Sequence, residues 1–435
     1  MPCFLCKPLR IRLALVFAIL RQHFSIMFYT SKPRLHTTLL LIACLFFSAI
    51  YGQNTAHTII PKPSYVQSAK GSFLISSKTK IYYSKGALPV ASFVRAFLRQ
   101  PTGYAFPLSL TGKTNSKGIH LIIDPSFDDS TRGAYRLEIG EDKVVAKAKD
   151  NAGLFYAIQS IRQLLPPGIE SRSVVKNQTW SLPALEIRDA PRFEWRGYMQ
   201  DVSRTFYGVD IIKKYLDIMA LYKMNVLHLH LTDDQGWRIE IKKYPELTSK
   251  KTTVFEARHQ QPEERSGYYS QEDIKALVKY AAERQISIVP EIDVPGHCWP
   301  VIITHPELGV NKTVTPDYVF PFMASWGYWG HQFTPNPLDP TNEKVYTFLD
   351  HVFTEIAQLF PSKYIHFGGD EVVHRLWENE PHVKAFMEKN GMKKVEQLQS
   401  YFVKRVSEII VKKGKQPNGW NDILADAENL PASTA

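Results

Sequence analysis

The spacing of apolar residues along the chain changes character near residue 186. Before that point, short apolar runs predict strands, and two stretches have the apolar spacing of helices. We therefore expect a small α+β accessory domain over residues 53–185, and its lack of an acid–base cluster predicts a supporting role. The predicted strands cover residues 80–83, 119–123, 135–139 and 144–148, and the predicted helices cover residues 89–98 and 151–165.

From residue 186 to residue 435, apolar strands alternate with long amphipathic helices. This alternation predicts a parallel sheet, either open or closed into a barrel. Polar side chains follow five successive strands, as they do at the rim of a β/α barrel, where active sites form. We therefore predict a catalytic (β/α)8 TIM-type barrel in the α/β class, present to about its fifth strand. The predicted strands cover residues 195–202, 226–231, 286–292, 364–367 and 416–420.

The first 52 residues have the composition of a leader. They contain six of the cations behind the formal net charge of +11, and no acid. Lys32 and Arg34 precede the apolar run from Thr38 to Phe47, and small residues follow it. This pattern predicts a secretory signal, too short to span a bilayer, and hence a periplasmic or secreted protein. Lipid attachment at Cys44 is the minority alternative.

The charge and the cysteines beyond the leader argue against a nucleic-acid-binding protein and against a domain held by an internal disulfide. Beyond the leader the chain has no run of Lys and Arg, so its charge is typical of a solvated surface and not of a nucleic-acid site. Cys298 is the one cysteine outside the leader, so the chain beyond residue 52 cannot form an internal disulfide. Adjacency of Cys298 to His297 does not make a nucleophile, and a small buried residue is the simpler interpretation.

Candidate chemistry begins with Asp370 and Glu371, which follow a short apolar strand and two glycines. Neighbouring side chains on a strand point to opposite faces, so these carboxylates converge only where the strand ends. They would not flank a bond as the two opposed carboxylates of ordinary glycosidases do. An isolated Asp-Glu pair is more often a solvated turn.

Two further strand ends carry histidines. His228 and His230 share one face of a strand that leads to Asp233, which also suits a metal-dependent hydrolase. His297 follows a Pro-Gly turn, where it could bind a carboxylate and tune its proton affinity. Tryptophans are dense beyond this point, and an indole at the rim suits the apolar face of a sugar. They are Trp299, Trp326, Trp329 and Trp420.

Taken together, these segments resemble glycoside hydrolase family 20, the β-N-acetylhexosaminidases. The resemblance runs from about residue 57 to the end of the chain, with residues 57–185 similar to the accessory domain of that family. The matching motifs lie at residues 195–204, 228–238, 289–297, 366–372 and, more weakly, 419–422.

The resemblance implies hydrolysis of terminal, non-reducing GlcNAc or GalNAc from a glycan, by a retaining, substrate-assisted mechanism through an oxazolinium intermediate. Glu371 would be the general acid and then the base, and Asp370 would orient the substrate's acetamido group. Asp233 and His297 would tune Glu371, while Arg196 and Trp420 would bind the sugar. No metal or cofactor is implied, and no oligomeric state follows.

The last residues follow the fifth predicted strand, whereas a β/α barrel has eight. We expect residues 1–435 alone to be poorly folded or nearly inactive, because an open barrel leaves an unpaired strand edge. Two alternatives to the hexosaminidase therefore stay open: a non-catalytic glycan-binding remnant, and a metal-dependent barrel hydrolase that uses His228 and His230.

Overall fold

The computed structural model describes residues 59–111, 115–252, 266–312 and 336–424. The leader, including Cys44, lies outside these ranges, as do Trp326 and Trp329, so the expectations for them stay predictions. Within these ranges, every helix falls short of the length or the apolar character that a bilayer crossing requires.

A seven-stranded mixed sheet occupies the first half of the described chain, in the order β1-β7-β5-β6-β4-β2-β3. Strand β2 pairs in parallel with β3 and with β4, and β4 pairs in parallel with β6. Strand β5 pairs antiparallel with β6 and with β7. Helices α1 and α2 accompany it. The bounds are β1 Tyr65–Ile75, β2 Ile81–Tyr83, α1 Leu88–Thr102, β3 Leu108–Leu110, β4 Gly118–Ile123, β5 Tyr135–Ile139, β6 Lys143–Ala148, α2 Asn151–Leu164 and β7 Trp180–Asp189, with a 3-10 turn at Pro167–Glu170.

The four strands and two helices predicted for this region are confirmed. Helix α2 begins at Asp150, whose carboxylate accepts the backbone N–H of Gly153 at 2.8 Å, and the helix is buried along most of its length. Strands β1, β3 and β7 have no counterpart in the prediction. Most of β1 is exposed, so it lacks the alternation of apolar and polar residues by which a half-buried strand is recognised.

A five-stranded sheet follows, in which every pair is parallel and the spatial order equals the chain order, β8-β9-β12-β13-β14. A helix connects each strand to the next. This is the arrangement of the first five strands of a β/α barrel, as predicted. The strands are β8 Gly197–Asp201, β9 Val226–His230, β12 Ser287–Glu291, β13 Tyr364–His366 and β14 Gln416–Asn418, and a small hairpin joins β10 Thr232–Asp233 to β11 Gly236–Trp237.

The long barrel helices present their predicted apolar faces to the core, and two of them begin at the capping side chains of Ser270 and Asn342. Ser270 and Asp273 form a capping box at the start of α4, and Asn342 accepts the N–H of Lys344 at the start of α6. The helices are α3 Val209–Leu221, α4 Gln271–Ala282, α5 Trp299–Thr304, α6 Glu343–Leu359, α7 Arg375–Asn379, α8 Pro381–Lys389 and α9 Val395–Lys412, with 3-10 turns at Pro245–Thr248, Lys250–Thr252 and Pro306–Leu308.

Polar contacts join the seven-stranded sheet to the amino ends of the barrel strands. The Lys223 ammonium is buried, 2.9 Å from the Tyr135 hydroxyl and 3.1 Å from the Asp189 carboxylate. Arg196 donates to the hydroxyl of Tyr156 at 2.8 Å. The seven-stranded sheet thus supports the end of the barrel opposite to the carboxyl ends of its strands.

Candidate active site

Two glycines turn the chain sharply where β13 ends. Gly368 and Gly369 have φ angles of 70° and 88°, in the left-handed region that favours glycine. A Cβ atom on Gly368 would overlap the carboxylate of Asp293, and one on Gly369 would overlap Ile423. The turn therefore requires both glycines, and it delivers Asp370 and Glu371 to the carboxyl end of the sheet.

Glu371 lies at the end of a relay of three side chains. Its Oε2 is 3.3 Å from Nε2 of His297, and Nδ1 of the same imidazole is 3.2 Å from Oδ1 of Asp233. The Glu371 side chain is one third exposed, whereas His297 and Asp233 are buried. Both Glu371 and His297 have positive φ angles, 50° and 48°, which is uncommon for residues with a side chain. The relay predicted from the sequence is thus assembled in space.

The charges around Asp233 fix its protonation state. Burial alone would raise its pKa, but the cations of His297, His230 and Arg204 hold the pKa of Asp233 well below its ordinary value. The Arg204 guanidinium lies 2.5 Å from Oδ2, and the backbone N–H of Asp234 donates to Oδ1 at 2.6 Å. Asp233 therefore stays ionised.

His297 carries the matching positive charge. Burial opposes its charged form, but the carboxylates of Asp233, Asp234 and Glu371 raise the pKa of His297 well above its ordinary value. The imidazolium places a proton between the buried aspartate and the carboxyl group of Glu371. Such an arrangement can stabilise negative charge on Glu371 when it has given up its own proton.

Asp370 lies beside a second, fully buried carboxyl group. Burial raises the pKa of Asp370, and burial together with the charge of Asp370 raises the pKa of Asp293 well above its ordinary value. Asp293 also accepts the N–H of Gly369 at 3.3 Å. Among the described residues, Oδ1 of Asp370 is buried without a hydrogen-bond partner. It is an acceptor for a donor that a ligand would bring.

Trp420 lies just after the fifth barrel strand, against the glycine turn. Its indole N–H donates to Oε1 of Glu291 at 2.9 Å, and its backbone N–H donates to the carbonyl oxygen of Gly368 at 2.9 Å. Its ring lies 4.8 Å from that of His366, edge to face. The structure thus brings Trp420 to the turn that holds Asp370 and Glu371, as predicted.

The predicted position of Arg196 is wrong. Arg196 precedes β8, so it lies at the amino end of that strand, at the opposite end of the barrel from Glu371. Its guanidinium donates to the carbonyl oxygens of Lys223 and Phe193 at 2.8 and 2.7 Å, and to the Tyr156 hydroxyl. These contacts join helix α2 to the amino end of the barrel and hold Arg196 away from the rim.

Two residues of the site are absent from the sequence-based selection. Arg204 follows β8 and contacts Asp201, Asp233 and His230 with its guanidinium, while its side chain remains 38% exposed. Arg204 lies after β8, four residues beyond Gln200, whereas Arg196 lies before that strand. This order along the chain is the signal that could have distinguished the two arginines. Glu291, at the end of β12, is completely buried in the barrel interior.

The alternative metal site used His228, His230 and Asp233, but these do not converge. Nε2 of His228 lies 2.6 Å from Glu291, and the two nitrogens of His230 face Glu291 and Asp233. Within the described ranges, four groups of three side chains are close enough to share a cation, among them His228, Glu291 and His366, and also His230 and Asp233 together with Asp293. His228 and His366 each already face the Glu291 carboxylate, at 2.6 and 3.2 Å.

Comparison with known proteins agrees with this geometry. Residues 193–435 match the sequence model "Glycosyl hydrolase family 20, catalytic domain", and residues 56–190 match "Glycosyl hydrolase family 20, domain 2". A beta-hexosaminidase of Porphyromonas gingivalis is 35% identical over 84% of this chain and 45% of its own length. One of Vibrio furnissii is 32% identical over 84% of this chain and 57% of its own. The chain thus spans about half the length of these curated relatives.

Solved structures give the same result. The GH20 β-N-acetylhexosaminidase of Streptomyces coelicolor A3(2) superposes with a TM-score of 0.71 at 32% identity, over 87% of this chain and 69% of that one. The β-N-acetylhexosaminidase of Bacteroides fragilis gives the same TM-score, identity and coverage. The family match covers more than half of the chain, with the Asp370–Glu371 turn inside it. The chain belongs to glycosyl hydrolase family 20.

Proposed function

We propose that this chain carries the catalytic turn of an exo-β-N-acetylhexosaminidase, which releases terminal, non-reducing GlcNAc or GalNAc from glycans. The observation that carries the proposal is the placement of Asp370 and Glu371 on one turn, beside each other and not across a cleft. Two carboxylates on one side of the sugar cannot act as an opposed acid and nucleophile. In the proposed mechanism the displacement comes from the substrate, whose 2-acetamido oxygen attacks the anomeric carbon with retention overall.

Glu371 is the proton donor in this proposal. It protonates the departing glycosidic oxygen while the acetamido oxygen closes an oxazolinium ring, and it then takes a proton from the water that opens that ring. The His297 imidazolium, 3.3 Å from Glu371, favours the ionised form after the first transfer. Asp233 keeps His297 charged. The relay therefore supports both steps.

Asp370 holds the nucleophile. Its buried Oδ1, which has no hydrogen-bond partner among the described residues, accepts the acetamido N–H and turns the carbonyl oxygen towards the anomeric carbon. Its charge also stabilises the positive oxazolinium ring. The neighbouring Asp293 has its pKa raised by burial, so a neutral Asp293 leaves the negative charge on Asp370.

Arg204 and Trp420 bind the sugar. Arg204 replaces Arg196 in this role, because its partly exposed guanidinium lies at the carboxyl end of β8, next to the relay. Guanidinium donors suit neighbouring sugar hydroxyls, and the indole of Trp420 suits the apolar face or the acetamido methyl group.

A pair of aryl β-glycosides tests the mechanism, one with a 2-acetamido group and one with a 2-hydroxyl group. Tested in a chain extended to a complete barrel, the first substrate should be hydrolysed at least about 10³-fold faster, because the second lacks the internal nucleophile. Glu371→Gln should abolish turnover of the first while GlcNAc still binds by calorimetry. Comparable turnover of both substrates would show that the mechanism is not substrate-assisted. Hydrolysis of neither substrate, with GlcNAc bound, would leave only the glycan-binding alternative.

A further inference from the structure

Glu291 is a carboxylate with no solvent exposure, surrounded by side chains from β9, from β13 and from the segment that follows β14. Its Oε2 lies 2.6 Å from Nε2 of His228 and 2.9 Å from Nδ1 of His230, both on β9. Its Oε1 lies 3.2 Å from Nδ1 of His366 on β13 and accepts the indole N–H of Trp420 at 2.9 Å. A buried charge of this kind is costly unless its partners are fixed, so the cluster holds these groups in one arrangement.

The charge state of the cluster follows from these contacts. Burial alone would raise the pKa of Glu291, but His230 and the other two histidines hold that pKa well below its ordinary value. Burial opposes a charged His230, whereas Glu291 and Asp233 raise the pKa of His230 well above its ordinary value. These two carboxylates therefore favour the imidazolium form of His230, whose Nε2 lies 3.1 Å from Asp233 and 3.1 Å from the Arg204 guanidinium.

Glu291 thus touches both functional parts of the proposed site. Through His230 it is connected to Asp233 and the relay that serves Glu371. Through Oε1 it holds the indole of Trp420, whose backbone N–H is bound in turn to the glycine turn before Asp370. The mechanism proposed above uses neither Glu291 nor His230 directly.

We propose that Glu291 is a positioning residue, which holds the pocket tryptophan and the Asp233 end of the relay in register with the Asp370–Glu371 turn. The proposal rests on the proposed hexosaminidase function. It adds to that function the idea that one buried carboxylate, Glu291, aligns the sugar-binding tryptophan with the acid Glu371. Misplacement of a binding group by about 1 Å can cost on the order of 10²-fold in rate.

A double-mutant cycle tests the assignment. Glu291→Gln should lower kcat/KM by about 10²-fold, and Trp420→Phe, which removes the indole N–H, should chiefly raise KM. If Glu291 acts partly through Trp420, adding Glu291→Gln to Trp420→Phe should cost at least about 3-fold less than adding it to the wild type. Glu246→Gln, at a half-exposed glutamate that pairs with His305, is the matched control and should leave kcat/KM unchanged.

A spectroscopic measurement makes the test independent of activity. In chain labelled with ¹⁵N-tryptophan, Trp420→Phe assigns the Trp420 indole N–H resonance by its disappearance. Glu291→Gln should shift that resonance upfield, because a neutral acceptor replaces a charged one. Trp377, whose indole N–H binds the carbonyl oxygen of Leu338, supplies the control resonance, which should not move.

The outcomes separate the two proposals. Loss of selectivity between the two aryl glycosides overturns the function and leaves the resonance test standing. An unmoved Trp420 resonance in Glu291→Gln, or fully additive effects in the cycle, overturns the positioning role. Should Glu291→Gln fail to fold, Glu291→Asp, which keeps the charge on a shorter side chain, takes its place: an unmoved Trp420 resonance would overturn the proposal, and a shifted resonance with a lowered kcat/KM would support it.

Discussion

The two sheets of this molecule bury different kinds of side chain. The seven-stranded sheet buries apolar residues such as Leu121, Leu137 and Ile187, each without solvent exposure. The interior of the barrel sheet buries ionisable groups at its carboxyl end. These are His230, Asp233, Glu291, Asp293, His297 and His366, all at most 8% exposed.

Because of this difference, the stability of the fold and the chemistry of the candidate site depend on different parts of the molecule. Apolar burial lowers the free energy of the folded chain roughly in proportion to area. Buried charges contribute less to stability, because the loss of hydration offsets most of their mutual attraction. The barrel tolerates charge at His297 and Asp233 because these two groups face each other, and His297 also faces Glu371. Substitutions in the two sheets should therefore change different measurements.

The largest expected effect is on rate. Asp370→Asn should lower kcat/KM on the order of 10³-fold, because the amide cannot stabilise a positive oxazolinium ring. Since burial raises the pKa of Asp370, the neutral amide should not lower the unfolding temperature. Asp142→Asn, at an exposed aspartate paired with Lys117, is the control and should change neither quantity. A nearly active Asp370→Asn variant would contradict the role of this carboxylate.

The next effect is on stability alone. Leu137→Ala removes a fully buried side chain from β5 and should cost about 2–5 kcal/mol in the free energy of unfolding, measured by denaturant titration. Leu110→Ala, at a 64% exposed leucine on β3 of the same sheet, should cost less than about 0.5 kcal/mol. The KM of the folded Leu137→Ala enzyme should equal that of the wild type. A changed KM would mean that the two sheets are not separable in this way.

The smallest effect is the pH dependence of stability. His230 and His297 have raised pKa values, so their contribution is complete below the ordinary histidine pKa of about 6.5 and is lost as pH rises through the folded values. The raised pKa values of Asp293 and Asp370 act in the same direction. The unfolding temperature should therefore fall by a few degrees from pH 6 to pH 9.

Two histidine variants test whether the buried imidazoles cause this fall in the unfolding temperature. His230→Gln should reduce it, whereas His382→Gln, at a histidine whose side chain is 42% exposed, should not. An unfolding temperature that rises over the same range would mean that the two buried imidazoles are neutral.

Much of the barrel could be predicted, because buried parallel strands are short apolar runs bounded by turns. The five predicted strands overlap β8, β9, β12, β13 and β14, with errors of one or two residues at the ends. Less of the seven-stranded sheet could be predicted from the sequence. Its outer strand β1 is mostly exposed, and an exposed strand has no burial pattern to detect.

The residues of the candidate site also fall into some that the sequence could predict and some that it could not. Asp370, Glu371, Asp233, His297 and Trp420 follow their strands, and the shared rim brings them together. Arg196 precedes its strand, and the same rule places it at the other end. The position of Glu291 depends on which side of β12 faces the barrel interior. Spacing within one strand cannot supply that, because the faces of a strand are distinguished only by their neighbours.

The left-handed backbone of Glu371 and His297 has a consequence for engineering. At both positions glycine would relieve local strain on the order of 1 kcal/mol, so a procedure that optimises backbone preference alone would favour it there. Each such replacement would delete a member of the proton relay. A thermostable variant obtained by replacing Glu371 in this way would be a well-formed barrel without the proton donor of the proposed reaction.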